Sequence, residues 1–131
     1  MPVVCFDYLR NIWDRDTFEL REEIVLICLD SSLGVNGWIR LYAGGFGECT
    51  LDPKLLFGIV LTTASSGFIL AHNHPSGNLR PSDGDRAVTR RMSTAAKILG
   101  IRFVDHIIAS SNGYYSFRDA ESKLFESVDD R

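Results

Sequence analysis

Two of the three histidines in this 131-residue chain stand two positions apart in the run His72-Asn73-His74-Pro75-Ser76-Gly77-Asn78-Leu79-Arg80-Pro81-Ser82-Asp83-Gly84-Asp85. Imidazole nitrogens and carboxylate oxygens are the donors of hydrolytic metal centres, and one short segment holds both beside a serine. The run follows Phe68-Ile69-Leu70-Ala71, a short apolar stretch of buried-strand character. At a strand's end, side chains i and i+2 face the same way, so His72 and His74 are expected to point into one space. The glycine and prolines that follow turn the chain, and Asp85 can return as a third ligand on the first turn of the next helix. Two nitrogens and one carboxylate oxygen leave a tetrahedral zinc ion one open position for water, as in catalytic zinc sites. The same donors can also hold iron.

These residues have structural readings as well. Ser82-x-x-Asp85 is a capping-box-like helix start, in which the serine satisfies free N–H groups and the helix dipole favours the carboxylate. A cap that fixes Asp85 also prepares it as a ligand, so the two readings are compatible. His106 lies in Ile101 to Ala109, an apolar run rich in β-branched residues that reads as a buried strand with Asp105 and His106 on opposite faces. It reads as a hydrogen-bonded core or edge residue, or as one that orients a metal ligand or touches substrate, and not as a ligand itself.

The spacing His-x-His-Pro, six residues, Ser, two residues, Asp, carried by His72, His74, Pro75, Ser82 and Asp85, resembles the JAMM motif of MPN+ (JAB) domains. The longer wording Ile69-Leu70-Ala71-His72-Asn73-His74-Pro75-Ser76-Gly77, with Pro81-Ser82 and Val104-Asp105-His106-Ile107-Ile108, resembles the RadC-type branch, once named for DNA repair. The resemblance covers roughly residues 16 to 118. It implies an α/β fold: a single-domain mixed β-sheet flanked by helices, JAB/MPN-like and of cytidine-deaminase-like architecture. It further implies that His72, His74 and Asp85 bind Zn2+, that Ser82 hydrogen-bonds the oxyanion, and that a glutamate on an earlier strand is the general base. Aligning Leu29-Asp30 with the family's strand end favours Glu22. Glu23 is adjacent, and Glu19 and Glu48 stay open; of Glu22 and Glu23 only one can face the metal.

The activity so implied is that of a zinc metallopeptidase acting on a peptide or protein substrate through a peptide or isopeptide bond. The alternative is a non-catalytic JAB module acting in protein interaction or in DNA-repair-associated assemblies. A nuclease suggested by the letters His-Asn-His is set aside, because such nucleases draw those residues from separate elements. Complete RadC-type proteins are expected to carry an N-terminal helical DNA-binding-like region. Here only a short helix precedes the JAB-like part, which weakens an inherited link to DNA. The segment Asp119-Ala120-Glu121-Ser122 also departs from the family's usual ending.

Composition fits one globular domain, with 45% hydrophobic and 24% charged residues. A net charge of −3 and a pI near 5.5 give no general attraction to nucleic acid. Arg86, Arg90, Arg91 and Lys97 read as the solvated face of a helix whose apolar stripe is Val88, Met92, Ala95 and Leu99. Cys5, Cys28 and Cys49 are widely spaced and odd in number, which argues against a disulfide framework and points to a reducing cytoplasm. The start of the chain reaches charge too soon for a signal peptide, and no apolar segment approaches the roughly 20 residues that span a bilayer. Neither oligomeric state nor physiological substrate is legible.

The elements that must position the site read as follows. Tyr8, Leu9, Ile12 and Trp13 mark a helical arm over residues 1–15, and residues 16–131 form the JAB-like domain. Glu22 to Leu29 is a strand, Asp30 to Gly37 a turn, and Trp38 to Ala43 its antiparallel partner. Gly44-Gly45-Phe46-Gly47 lacks the Gly-Lys-Ser/Thr of a phosphate loop and reads as a loop or bend. Asp52-Pro53 caps a helix through about Thr63 with Leu55, Leu56, Ile59 and Val60 as its buried stripe. A helix from Asp83 to Leu99 stops at Gly100, Ser111-Asn112-Gly113 turns into a strand at Tyr114 to Phe117, and the acidic end from Glu121 reads as a fraying helix.

Overall fold

Continuous apolar runs are characteristic of strands buried on both faces, and the runs before Asp30, through His72 and through His106 line up side by side in one sheet. The computed structural model describes residues 2–16, 18–44 and 51–126. In chain order the elements are α1 (Pro2–Ile12), β1 (Glu22–Leu29), β2 (Val35–Gly44), α2 (Pro53–Thr62), β3 (Gly67–Asn73), α3 (Asp83–Leu99), β4 (Arg102–Ser110), β5 (Gly113–Ser116) and α4 (Phe117–Ala120), then a 3₁₀ turn at Ser122–Phe125. The strand order is β2-β1-β3-β4-β5. Neighbours are antiparallel except β3 and β4, which α3 connects as the long crossover that a parallel pair requires.

Alternation along the strands divides the interior into two cores. Ile24, Leu26, Cys28, Phe68 and Leu70 face α2 and α3, joined by Phe117, Leu124 and Phe125. Val25, Ile27, Leu29, Ile69 and Ala71 face Cys5, Leu9 and Trp13 of α1 and its continuation. Helices thus cover both faces of a mixed sheet, as the sequence leads one to expect. His72 continues the parity of Phe68 and Leu70, so it projects toward α3.

Several boundaries and stripes differ from expectation. On α2 the buried positions are Leu56, Phe57 and Val60, while Leu55 is 49% exposed. Phe57 takes the inner place because its ring meets Phe68 edge-on at 5.5 Å. On α3 the inner face is Asp85, Val88, Thr89, Met92, Ser93 and Ala96; Ala95 is half-buried and Leu99 is 47% exposed. That face is partly polar because its first turns lie over the histidines, and a purely apolar stripe cannot identify it.

The β1–β2 turn is shorter than expected, because Asp30 Oδ1 accepts the N–H groups of Ser32 and Gly34 and lets β2 begin at Val35. Phe117 opens α4 rather than ending β5, since Ser116 caps that turn by accepting the N–H of Asp119. Leu124 and Phe125 are buried, which anchors the 3₁₀ turn where a fraying helix is expected. Gly45, Phe46, Gly47, Glu48 and Cys49 lie outside the described residues.

Candidate metal centre

The site is assembled where β1, β3 and the start of α3 meet. His72 is in β3, paired with Ile24 of β1 and Ile108 of β4. His74 lies just past the strand, but its N–H still donates to the Ala109 carbonyl at 2.9 Å, so the direction of β3 is kept for one more residue. The chain then turns through Gly77, whose N–H donates to the His74 carbonyl and whose φ of +86° suits glycine. Ser82 caps α3, and Asp85 is its third residue. The two form a reciprocal capping box, with Asp85 N–H donating to Ser82 Oγ at 3.0 Å and Ser82 N–H donating to Asp85 Oδ2 at 2.8 Å.

These elements bring His72, His74 and Asp85 together, with one ligand atom from each lying within 4.8 Å of the others. His72 Nε2 is 3.0 Å from His74 Nε2 and 3.3 Å from Asp85 Oδ1, and His74 Nε2 is 3.6 Å from Asp85 Oδ2. His74 Nδ1 donates to the Asn78 carbonyl at 2.7 Å, which turns Nε2 inward toward His72 and Asp85. Two neutral rings that both carry their proton on Nδ1 would set their Nε2 lone pairs against each other at this separation. A cation or a proton between them resolves the conflict, so the donor set fits a metal ion with two imidazoles and one carboxylate.

The electrostatics follow from burial and from this crowding. Burial holds His72 below the ordinary imidazole value against the pull of Asp85. Burial lowers His74 too, but the hydrogen bonds to Asp85 and to the Asn78 carbonyl outweigh it, and His74 ends above that value. Burial would raise Asp85, yet its hydrogen bonds to His72 and His74 hold it well below the carboxylate range. His106, fully buried, is held well below the imidazole value by desolvation and then by His72.

The glutamates separate as strand geometry requires. Glu22 continues the parity of Ile24, facing the site, and its Oε2 is buried with no hydrogen-bond partner. Burial raises its carboxyl, with His74 lowering it and Asp85 raising it further. Glu23 faces the other way, fully buried, with Arg21 Nε at 3.0 Å and Arg40 Nε at 3.5 Å from its Oε2. Glu19 is exposed before β1, and Glu48 lies outside the described residues. Ser82 is exposed beside Asp85. His106 is not among the three clustered ligands; its Nε2 is 2.9 Å from His72 Nδ1.

The model of the family described as the RadC-like JAB domain matches residues 2–123. The chain belongs to this family. Among curated relatives of this RadC-like JAB domain, a UPF0758 protein of Thermotoga maritima is 42% identical over 99 residues, covering 76% of the chain and 45% of the relative. A UPF0758 protein of Lactococcus lactis subsp. cremoris is 35% identical over 113 residues, 86% of the chain and 49% of the relative. One from Actinobacillus pleuropneumoniae serotype 5b is 36% identical over 119 residues, 91% of the chain and 51% of the relative. The chain therefore spans about half the length of the curated relatives it matches. No helix among the described residues of this RadC-like JAB domain is long and apolar enough to cross a membrane.

Two residues around the centre escape a reading by motif. Asn73, between the histidines, faces the opposite side. Its Oδ1 accepts the Glu23 N–H at 2.6 Å, and its Nδ2 donates to the carbonyls of Phe18 and Arg21 at 2.6 and 2.9 Å. It thereby pins the start of β1, where Glu22 stands. Thr89 Oγ1 lies 2.6 Å from His106 Nδ1. Its position four residues after Asp85 puts it on the same helix face, the one signal that could have singled it out.

Proposed function

We propose that this RadC-like JAB domain is a zinc-dependent hydrolase that cleaves peptide or isopeptide bonds in a peptide or protein substrate. The observation that carries the reading is the convergence of His72, His74 and Asp85 with Glu22 beside them, its Oε2 buried and unpartnered. His72, His74 and Asp85 would hold the zinc, which would supply Lewis acidity to the scissile carbonyl and lower the pKa of a water to around 7.

Glu22 takes a proton from the attacking water on its unpartnered oxygen and delivers it to the leaving nitrogen as the C–N bond breaks. Its raised carboxyl, set chiefly by burial, makes the carboxylate a stronger base for the first half of that task. Ser82 accepts the Asp85 N–H on its oxygen, so its own proton is free to donate to the carbonyl oxygen as that oxygen turns negative. Ser82 is exposed and His74 half-buried, which leaves the solvent side for substrate. Cys5 and Cys28, free and buried, support a reducing cytoplasmic setting.

Elemental analysis of untagged protein purified without chelators, beside His74→Ala, tests the metal. About one zinc per wild-type chain, lost in the variant, is expected. A peptide and isopeptide library then tests hydrolysis, and Glu22→Ala is expected to keep the metal and lose turnover. Zinc uptake with no cleavage of any library would favour a binding module instead.

A further inference from the structure

The side chains behind His72 form a single file that ends on the backbone of another ligand. His72 Nδ1 is 2.9 Å from His106 Nε2, His106 Nδ1 is 2.6 Å from Thr89 Oγ1, and Thr89 Oγ1 is 2.9 Å from the Asp85 carbonyl oxygen. All three side chains are buried. The ring of Phe117 stacks on His106 at 4.6 Å with 14° between the planes, which holds the imidazole in this orientation.

The protons in this file can be assigned. A carbonyl oxygen only accepts, so the contact between Thr89 and Asp85 is a hydrogen bond only when the hydroxyl donates there. Thr89 Oγ1 must then accept from His106, which puts a proton on His106 Nδ1. A buried ring with no carboxylate against either nitrogen stays neutral, so His106 Nε2 carries a lone pair. His72 therefore donates from Nδ1, and its own Nε2 lone pair faces His74 and Asp85. Reversing the file would make Thr89 donate to His106 and would leave hydroxyl and carbonyl oxygens of Thr89 and Asp85 as two acceptors 2.9 Å apart. It would also place an N–H on His72 Nε2, where a metal has to bind.

We propose that His106 and Thr89 are positioning residues that lock His72 as its Nδ1–H tautomer and tie its ring to the Asp85 backbone, so that two metal ligands are set as one unit. His74 has a separate and shorter device, the bond from its Nδ1 to the Asn78 carbonyl. Both imidazoles are thus turned toward the centre by an acceptor on Nδ1. The inference rests on reading the centre as a metal site and is independent of whether the chain hydrolyses anything.

The test has two arms, neither of which reads turnover. In zinc-loaded wild-type protein, long-range proton–nitrogen correlation of the imidazole rings distinguishes the two neutral tautomers. His72 and His106 are both expected as Nδ1–H; a proton on Nε2 of His106 overturns the proposal. Zinc affinity, measured by competition with a chromogenic chelator, is expected to fall roughly 10–100-fold in Thr89→Val and to be restored in Thr89→Ser. A folded Thr89→Val that binds zinc as tightly as wild type also overturns it, and if that variant does not fold, the wild-type tautomers decide. The expected tautomers and affinities in a chain that cleaves no substrate would uphold the relay and count against the hydrolase.

Discussion

Ser82 and Asp85 bond each other twice across the first turn of α3, each backbone N–H donating to the other's side chain, at 2.8 and 3.0 Å. The helix cap is therefore also the mount of a candidate metal ligand. Removing the Ser82 hydroxyl frees one end of that mount and takes away the proposed oxyanion donor. Ser82→Ala is expected to cost about 1 kcal/mol of stability in urea denaturation. Turnover is expected to fall on the order of 10²–10³-fold while zinc stays bound. A variant destabilised by that amount with wild-type turnover would leave Ser82 as a cap only.

Glu22 and Glu23 offer a paired experiment on neighbouring positions of one strand. Glu22→Gln keeps the shape and removes the proton acceptor, so turnover is expected to fall at least about 10²-fold with metal content unchanged. Glu23→Gln breaks the pairing with Arg21 and Arg40 on the far face, so it is expected to lower the melting temperature and leave the chemistry intact. The opposite pattern, an active Glu22→Gln beside an inactive Glu23→Gln, would transfer the role of base.

The strands and α3 were legible because their signals are local. Apolar runs mark β1, β3 and β4, while the Ser82 cap and Gly100, at φ +70°, bracket α3 to the residue. The ligand cluster was legible because His72 and His74 sit at strand spacing and Asp85 at cap spacing. What stayed hidden depends on which surfaces meet. Leu55 and Leu99 look like core by composition, but the inner faces of their helices are set by Phe68 and by the polar centre. Thr89 and Asn73 carry no motif, because their importance comes from partners 17 and 50 or more positions away.

Asn73 provides the next prediction. It is fully buried, and its three hydrogen bonds hold the chain entering β1 against β3. Asn73→Ala leaves the Glu23 N–H and two carbonyls short of a partner, at a cost of at least about 2 kcal/mol. Zinc content is expected to persist, since His72 and Asp85 belong to β3 and α3 and His74 stays bonded to the Ala109 carbonyl, while turnover falls because Glu22 loses its fixed approach. Denaturation, elemental analysis and peptidase assay on one preparation check all three; loss of zinc with full stability would place the effect on the ligands instead.

Asp105 supplies a pH dependence that does not involve the candidate metal ligands. Its carboxylate accepts from the Ser116 hydroxyl at 2.6 Å, the His106 N–H at 2.7 Å and the Arg118 N–H at 3.0 Å, joining β4 to the corner where β5 becomes α4. Burial nevertheless raises it above the ordinary carboxylate value, the three hydrogen bonds opposing the rise and the charge of Asp119 adding to it. The folded chain thus keeps the Asp105 proton to higher pH than the unfolded chain does. In that window the native state binds more protons, so this residue's contribution to stability falls as pH rises. The window opens near the ordinary aspartate value of about 3.9 and extends up to the folded value. Asp105→Asn removes the ionisation, so the stability of metal-free wild type minus that of the variant should decline across this window and then level off. Urea denaturation of both proteins over a pH series measures the difference, and a difference that rises with pH would reverse the assignment of burial as the dominant influence on Asp105.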